Sequence, residues 1–327
     1  MSFVQTFRAP VPYLHPRDES KKAKRRSHVA NKIRQVAVPD FFIIGAPKCG
    51  TTSVYDFLRK HPKIFMPDFK EPQYFCSDLT DLRQIKTESK YAKLFNHKKP
   101  GQVVGEASAW YLYSKDAVNR ILAENPEAKF IVMLRDPIKA IASFHNNSVI
   151  SLAEKYEEFE QAWDAQKPNP ANPATDYKGV YKFSDQLERL YAAVPKERIK
   201  VVLLEELIES PEAEYNAITA FLGLQPSTNA QYPHENVARH WNSKFVRNFL
   251  LNPSPAVRML MGIFKKVCNT FSIRPIHILH WLFAVEGMNK PLSANIQKML
   301  RQEFEVDITR LKKEFGLPVD RLWRTQD

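Results

Sequence analysis

Short apolar runs alternate with amphipathic stretches from Val36 to Leu222. Phe41-Phe42-Ile43-Ile44 is uninterrupted and stops at Gly45, the pattern of a strand buried on both faces. Thr51–Lys60 then places Val54, Phe57 and Leu58 at helical spacing. Val103-Val104-Gly105 predicts a second strand, and Ser114–Glu124 a helix with Ala117, Ile121 and Leu122 on one side. Phe130–Leu134 predicts a third strand, running into Arg135-Asp136-Pro137 and a helix over Ile138–Ile150. Gly179–Val194 reads as one amphipathic helix, Ile199–Leu204 as a fourth strand, and Pro211–Leu222 as a helix closed by Gly223. This alternation predicts a parallel α/β sheet with right-handed crossovers. Beyond Gln231 the strand signal fades, and Asn242–Leu251, Ala256–Phe271 and Ser293–Phe315 read as helices. Lys167–Thr175, rich in Pro and Asn, reads as a surface loop. The expectation is a single α/β domain over residues 36–327 with a helical C-terminal portion, preceded by a tail.

The charge of the 327-residue chain is uneven. Residues 1–35 hold nine basic and two acidic side chains, a net +7, interrupted by Pro10, Pro12 and Pro16. The rest of the chain carries only +5 of the total +12. A mildly basic folded part fits a small polyanionic ligand better than a nucleic-acid track. The three cysteines, Cys49, Cys76 and Cys268, are too few and too scattered for a disulfide framework or a zinc site, which suits a reducing compartment. No apolar run approaches a membrane span of about 18–20 residues, and the N-terminus lacks the charged-then-apolar order of a secretory signal. A cytoplasmic location is expected.

Gly is scarce, at nine residues, so the two bounding Gly45-Ala46-Pro47-Lys48-Cys49-Gly50 stand out. A strand, a glycine-bounded loop and a helix make an anion cradle, because the helix N-terminus presents unpaired N–H groups and partial positive charge. Thr51, Thr52 and Ser53 add hydroxyls in the first turn, and Lys48 a full charge. Gly45 and Gly50 have the spacing of the nucleotide P-loop, but the lysine lies inside the loop instead of after Gly50. That displacement predicts a shorter group on the 5′-phosphate than a nucleoside triphosphate carries. Arg135, at the carboxyl end of a strand, suits bidentate phosphate contact, and Ser143 follows it about two helical turns later.

GAPKCGTTSVYDFL together with IVMLRDPIKAIASF resembles the sulfotransferases that use 3′-phosphoadenosine-5′-phosphosulfate (PAPS), in their bacterial and heparan-sulfate-type branch. The similarity runs over roughly residues 38–325, through Gly179-x-Tyr181, Leu187, the strand IKVVLLEEL, Phe221-Leu222-Gly223 and the closing stretch from Leu292 to Trp323. The resemblance implies a P-loop-like three-layer sandwich with a central parallel sheet. It implies that Gly45, Pro47, Lys48, Cys49, Gly50, Thr51, Thr52 and Ser53 hold the 5′-phosphosulfate and Arg135 with Ser143 the 3′-phosphate. PAPS would leave as PAP, and no metal is required. It also implies that Glu71, in Lys70-Glu71-Pro72-Gln73-Tyr74-Phe75, is the base for the acceptor. Lys48 would neutralise charge on the leaving nucleotide.

The residues around this segment carry further expectations. Pro72 should keep Glu71 extended, and the aromatic pair Tyr74-Phe75 should shield its carboxylate. His145, beside Ser143, competes as a base. Glu106, Trp110 and Tyr111, at the end of the second strand, form a candidate acidic and aromatic pocket, with Lys70 and Tyr181 nearby. In heparan-type members a Lys follows the Glu and a Pro stands three residues beyond it, where this chain has Ala107 and Ala109. That departure favours a neutral or cationic small acceptor, such as a guanidinium alkaloid, over a polyanionic glycan. Arg239, His240 and Lys244 fall where relatives often close a loop over the nucleotide. A glycan or glycolipid acceptor, a P-loop kinase or NTPase, and a non-catalytic nucleotide-binding module are the alternatives.

Overall fold

The computed structural model describes residues 38–167, 169, 173–225, 239–241, 254, 259, 284–286 and 291–323. The basic tail, Lys244, Cys268 and the stretch 242–251 lie outside them, as does 256–271 apart from Met259. The core is a five-stranded, wholly parallel sheet in the order β2-β3-β1-β4-β5. The strands are β1 (Phe41–Gly45), β2 (Ile64–Phe65), β3 (Val103–Ala107), β4 (Lys129–Leu134) and β5 (Ile199–Leu203). β1 lies in the middle, every residue buried, as its unbroken apolar run requires. Helix α1 (Thr51–Leu58) packs on β1 and β3, while α8 (Leu204–Glu209) and α9 (Pro211–Phe221) pack on β5.

Between the strands lie α2 (Glu88–Lys93), α3 (Ala117–Glu124), α4 (Pro137–Ile150), α5 (Phe159–Asp164), α6 (Tyr177–Tyr181) and α7 (Phe183–Ala193). After β5 and its helices come α10 (Ala294–Phe315) and α11 (Val319–Leu322). The predicted strands and the helices after β1, β4 and β5 are found within a few residues of their expected bounds. Edge strand β2 and helices α2, α5 and α8 were not expected; each is six residues or fewer, too short for a periodic signal. A further antiparallel pair, β6 (Arg239–Trp241) with β7 (Ala284–Glu286), stands where no strand was expected.

The helix predicted over Gly179–Val194 is two helices, broken at Lys182 with ψ 88°. The cause is remote in sequence. The Asp307 carboxylate on α10 accepts from the Phe183 and Ser184 N–H groups at 3.1 and 2.9 Å, and from the Ser184 hydroxyl at 2.6 Å. This long-range cap starts a new helix at Phe183. The helix expected from Ser114 begins at Ala117, because the Ser114 hydroxyl accepts from the Asp116 and Ala117 N–H groups.

Helix α10 is also bolted to the end of β4. Asp136, fully buried, caps α4 through the Ile138 N–H and pairs with Arg301 at 2.6 Å. The Glu205 carboxylate joins the same corner, accepting from the Asp136 N–H and from the Trp323 indole. Arg135 is thereby set at the strand end with its neighbour locked in the core.

Gly45 ends β1 at φ +152°, and a Cβ placed there would lie 2.3 Å from the Met133 carbonyl oxygen of β4. Backbone cannot move away without breaking the β1–β4 ladder. Gly45→Ala is therefore expected to lower stability by about 3 kcal/mol, read by urea denaturation.

Candidate active site

Residues 46–50 turn the chain from β1 into α1. Gly50 caps the helix at φ 89° with no side chain over the first turn, and Lys48 is left-handed at φ 65°. The backbone N–H groups of Gly50, Thr51 and Thr52 have no hydrogen-bond partner among the described residues. A row of open donors on a helix N-terminus fits an anion. The loop is held from behind. Tyr181, fully buried, donates its hydroxyl to the Pro47 carbonyl at 2.9 Å. Cys49 points inward, and burial pushes its thiol well up, so it supports the loop and stays inert.

Three cations converge here. The Arg135 guanidinium reaches the Lys48 carbonyl at 3.3 Å. The Lys70 ammonium lies 3.5 Å from the Thr51 hydroxyl and 2.6 Å from the Glu71 carboxylate. Burial lowers the pKa of Lys48, and the positive charges of Arg135 and Lys70 lower it further. Like charges crowded at a helix N-terminus are stabilised by a polyanion. The residues present therefore fit a phosphosulfate or phosphate group. Ser143 sits in α4, about 8% exposed, two turns beyond the strand end that carries Arg135. Thr52 and Ser53 are half-buried in the first turn of α1.

The Lys70–Phe75 segment lies against the end of β3. Glu71 is not extended: it is left-handed, at φ 61°, directly before Pro72, and Gln73 is left-handed at φ 50°. Two hydrogen bonds enforce the turn. The Glu71 N–H donates to the Ala107 carbonyl at 3.0 Å, and its Oε2 accepts the Ala109 N–H at 3.0 Å. Conformations of this kind store on the order of 1–3 kcal/mol and cluster at functional sites. The carboxylate is held by Lys70, by the Ala109 N–H and by the Gln73 amide, not walled in by Tyr74-Phe75. Phe75 instead packs in the core against Phe42, Tyr91 and Tyr111.

Among the described residues, Glu106, Trp110 and Tyr111 do not line the expected acidic and aromatic pocket. Trp110 is 8% exposed and Tyr111 fully buried, and Glu106 is fully buried between β3 and α2. Glu106 Oε2 accepts from the Tyr91 hydroxyl at 2.7 Å and the Tyr111 hydroxyl at 3.0 Å. Trp110 meets Phe144 and Tyr113 edge-on. His145 is not a base at the site. It is buried, with Nδ1 3.0 Å from the Tyr177 hydroxyl and Nε2 3.1 Å from the Glu157 carbonyl. Tyr181 supports the Pro47 carbonyl instead of facing an acceptor. Arg239 and His240 lie on the β6–β7 ribbon. The sequence reading missed Gln73, Tyr91, Ser108 and Arg301. Their roles depend on partners 15 to 165 residues away, and only Gln73, two residues after Glu71, had a local cue.

The strand ends of one parallel sheet thus carry an open anion loop, an arginine and a tethered carboxylate, an arrangement suited to holding an anionic group beside a base. The sulfotransferase domain model matches residues 38–261, and the chain belongs to that family. Carbohydrate sulfotransferase 15 of Mus musculus is 33% identical over a match covering 36% of this chain and 28% of that protein. Heparan sulfate glucosamine 3-O-sulfotransferase 6 of Homo sapiens is 26% identical, covering 57% of this chain and 53% of that protein. The chain thus spans about a quarter to a half of the length of these curated relatives. A crystal structure of a sulfotransferase from Alicyclobacillus acidocaldarius superposes with a TM-score of 0.56 at 27% identity, covering 70% of this chain and 91% of that one.

Burial raises the Glu106 pKa from 4.5 to about 7, against the pull of the Ser108, Tyr91 and Tyr111 hydroxyls. Between those values the folded protein keeps a proton that the unfolded chain releases. Stability from this group is therefore full below about pH 4.5 and is lost as the pH rises through about 7. Glu106→Gln is expected to flatten that slope. Urea midpoints at pH 5 and pH 8 should differ less in the variant than in the wild type; equal differences would contradict the assignment.

Proposed function

We propose that the chain transfers a sulfuryl group from PAPS to a hydroxyl of a carbohydrate acceptor, with Glu71 as the general base. The observation that carries this reading is one lysine bridging two functions: Lys70 Nζ touches both the Thr51 hydroxyl of the anion loop and the Glu71 carboxylate. A base and an anion cradle held a side chain apart are what in-line transfer to a hydroxyl requires.

PAPS, when bound, supplies an activated sulfuryl group on its 5′-phosphate. The open N–H groups of Gly50, Thr51 and Thr52 and the Lys48 ammonium would hold that end, and Arg135 with Ser143 the 3′-phosphate. Glu71 accepts the proton of the acceptor hydroxyl; the Ala109 N–H fixes its Oε2, and the Lys70 ammonium holds its Oε1. Lys48, with its lowered pKa, would neutralise the negative charge that accumulates on the departing nucleotide.

The acceptor assignment rests on two supports. The names of the relatives point to carbohydrates. The reading of a cationic small acceptor drew in part on a pocket of Glu106, Trp110 and Tyr111, and all three are buried; Ala107, in place of the heparan-type Lys, still argues against a strongly polyanionic carbohydrate. Family membership also displaces the kinase reading. Among the described residues, no helix is long and apolar enough to cross a membrane.

Transfer of radiolabelled sulfate from PAPS to desulfated heparan sulfate tests the reading. Glu71→Gln should lower kcat a hundredfold or more while the Kd for PAP changes little. Lost PAP affinity with intact chemistry would overturn the role of Glu71. Arg135→Ala should weaken PAP far more than AMP, which lacks the 3′-phosphate; equal weakening would remove Arg135 from the 3′-phosphate.

A further inference from the structure

Glu106 takes no part in the reaction outlined above, yet its placement is expensive. It is fully buried; the Ser108 hydroxyl lies beside its carboxyl group, but Oε1 makes no well-aligned hydrogen bond among the described residues. A buried acid with one poorly satisfied oxygen is a poor stabilising device, since an apolar side chain of similar size would do better. The other oxygen gathers two phenols from different parts of the chain, Tyr91 on α2 and Tyr111 after β3.

Both rings bear on the segment that carries Glu71. Tyr91 stacks on Tyr74 at 4.3 Å and 14°, and meets Phe75 edge-on at 5.4 Å. Tyr111 meets Phe75 edge-on at 5.9 Å, and its oxygen accepts the Phe75 N–H at 3.3 Å. The start of the same segment is tied to residues that directly follow Glu106. The Glu71 N–H donates to the Ala107 carbonyl, the Gln73 N–H to the Ser108 hydroxyl at 3.1 Å, and the Ala109 N–H to the Glu71 carboxylate. The backbone ties fix where Glu71 begins its turn. The two rings fix where the segment ends, and so prevent the left-handed residues Glu71 and Gln73 from relaxing.

We propose that Glu106 is a positioning residue for catalysis: by accepting from both Tyr91 and Tyr111 it fixes the two rings that clamp Tyr74 and Phe75, and so holds the Glu71 carboxylate at the anion loop. The inference rests on Glu71 being the base. Its energetic logic is that of preorganisation, in which a base displaced by about 1 Å loses up to a hundredfold in rate.

Three variants test it: Glu106→Leu, which removes the acceptor; Glu106→Gln, which keeps an amide oxygen for the phenols; and Tyr111→Phe, which removes the link to Phe75. Each is assayed with PAPS and desulfated heparan sulfate, and by amide hydrogen exchange. Glu106→Leu and Tyr111→Phe should each lower kcat about ten- to a hundredfold. The KM for PAPS and the Kd for PAP should stay within about twofold of wild type. Exchange at Gln73 and Phe75 should speed up while β1 and β4 stay protected. Glu106→Gln should recover most of the kcat. The double variant Glu106→Leu/Tyr111→Phe should be no slower than the worse single variant, because both break one chain of contacts.

Wild-type kcat or unchanged exchange in Tyr111→Phe overturns the inference, and that variant alone decides if Glu106→Leu does not fold. A loss that appears in the KM for PAPS instead of kcat also overturns it. Glu71→Gln separates this failure from failure of the underlying reading. If Glu71→Gln keeps full kcat, the base assignment falls and the positioning role with it. If Glu71→Gln is inactive while Tyr111→Phe is not, only the positioning role falls.

Discussion

Positive charge crowded at one helix N-terminus organises this molecule. Lys48, Lys70 and Arg135 meet where α1 presents its open N–H groups, and Glu71 is the carboxylate paired with Lys70 there. Such an arrangement is unfavourable by itself, as the lowered pKa of Lys48 records. Rigid surroundings maintain it: the Tyr181 hydroxyl on the Pro47 carbonyl, the close approach of Gly45 to Met133, and the Asp136–Arg301 pair behind Arg135. Under the proposed function a bound polyanion would make this concentration of charge favourable.

Sheet order explains why these groups meet. β1 lies between β3 and β4, and all strands run the same way, so their carboxyl ends lie side by side. The anion loop leaves β1, Arg135 leaves β4, and the end of β3 serves as a template for the Lys70–Phe75 segment. In the proposed reading each of these three strands contributes one chemical function: anion binding, phosphate contact and base positioning. This follows the general rule that open parallel sheets bind ligands beyond the carboxyl ends of their strands.

Much of this was legible in the sequence because it is locally encoded. The strand before Gly45, the displaced lysine at Lys48 and the Arg135–Ser143 spacing all lie within short windows. The features that were not legible depend on distant partners. The break at Lys182 is caused by Asp307, and the left-handed turn at Glu71 by Ala107 and Ala109. Trp110, Tyr111 and Glu106 follow a strand end, which made them read as ligand-facing. They turn inward because Tyr91, from a short helix with no clear periodic signal, supplies a donor for the Glu106 carboxylate. His145 misled for the same reason: its partners, Tyr177 and the Glu157 carbonyl, lie 32 and 12 residues away.

The central claim is that the loop and Arg135 together recognise a nucleotide bearing both a 5′- and a 3′-phosphate. Calorimetric titration with PAP, against AMP and ATP with magnesium, tests it most directly. The account predicts tight binding of PAP, with AMP and ATP–magnesium each weaker by at least about a hundredfold, roughly 2.7 kcal/mol. Equal affinity for AMP, or a preference for ATP–magnesium, would contradict it.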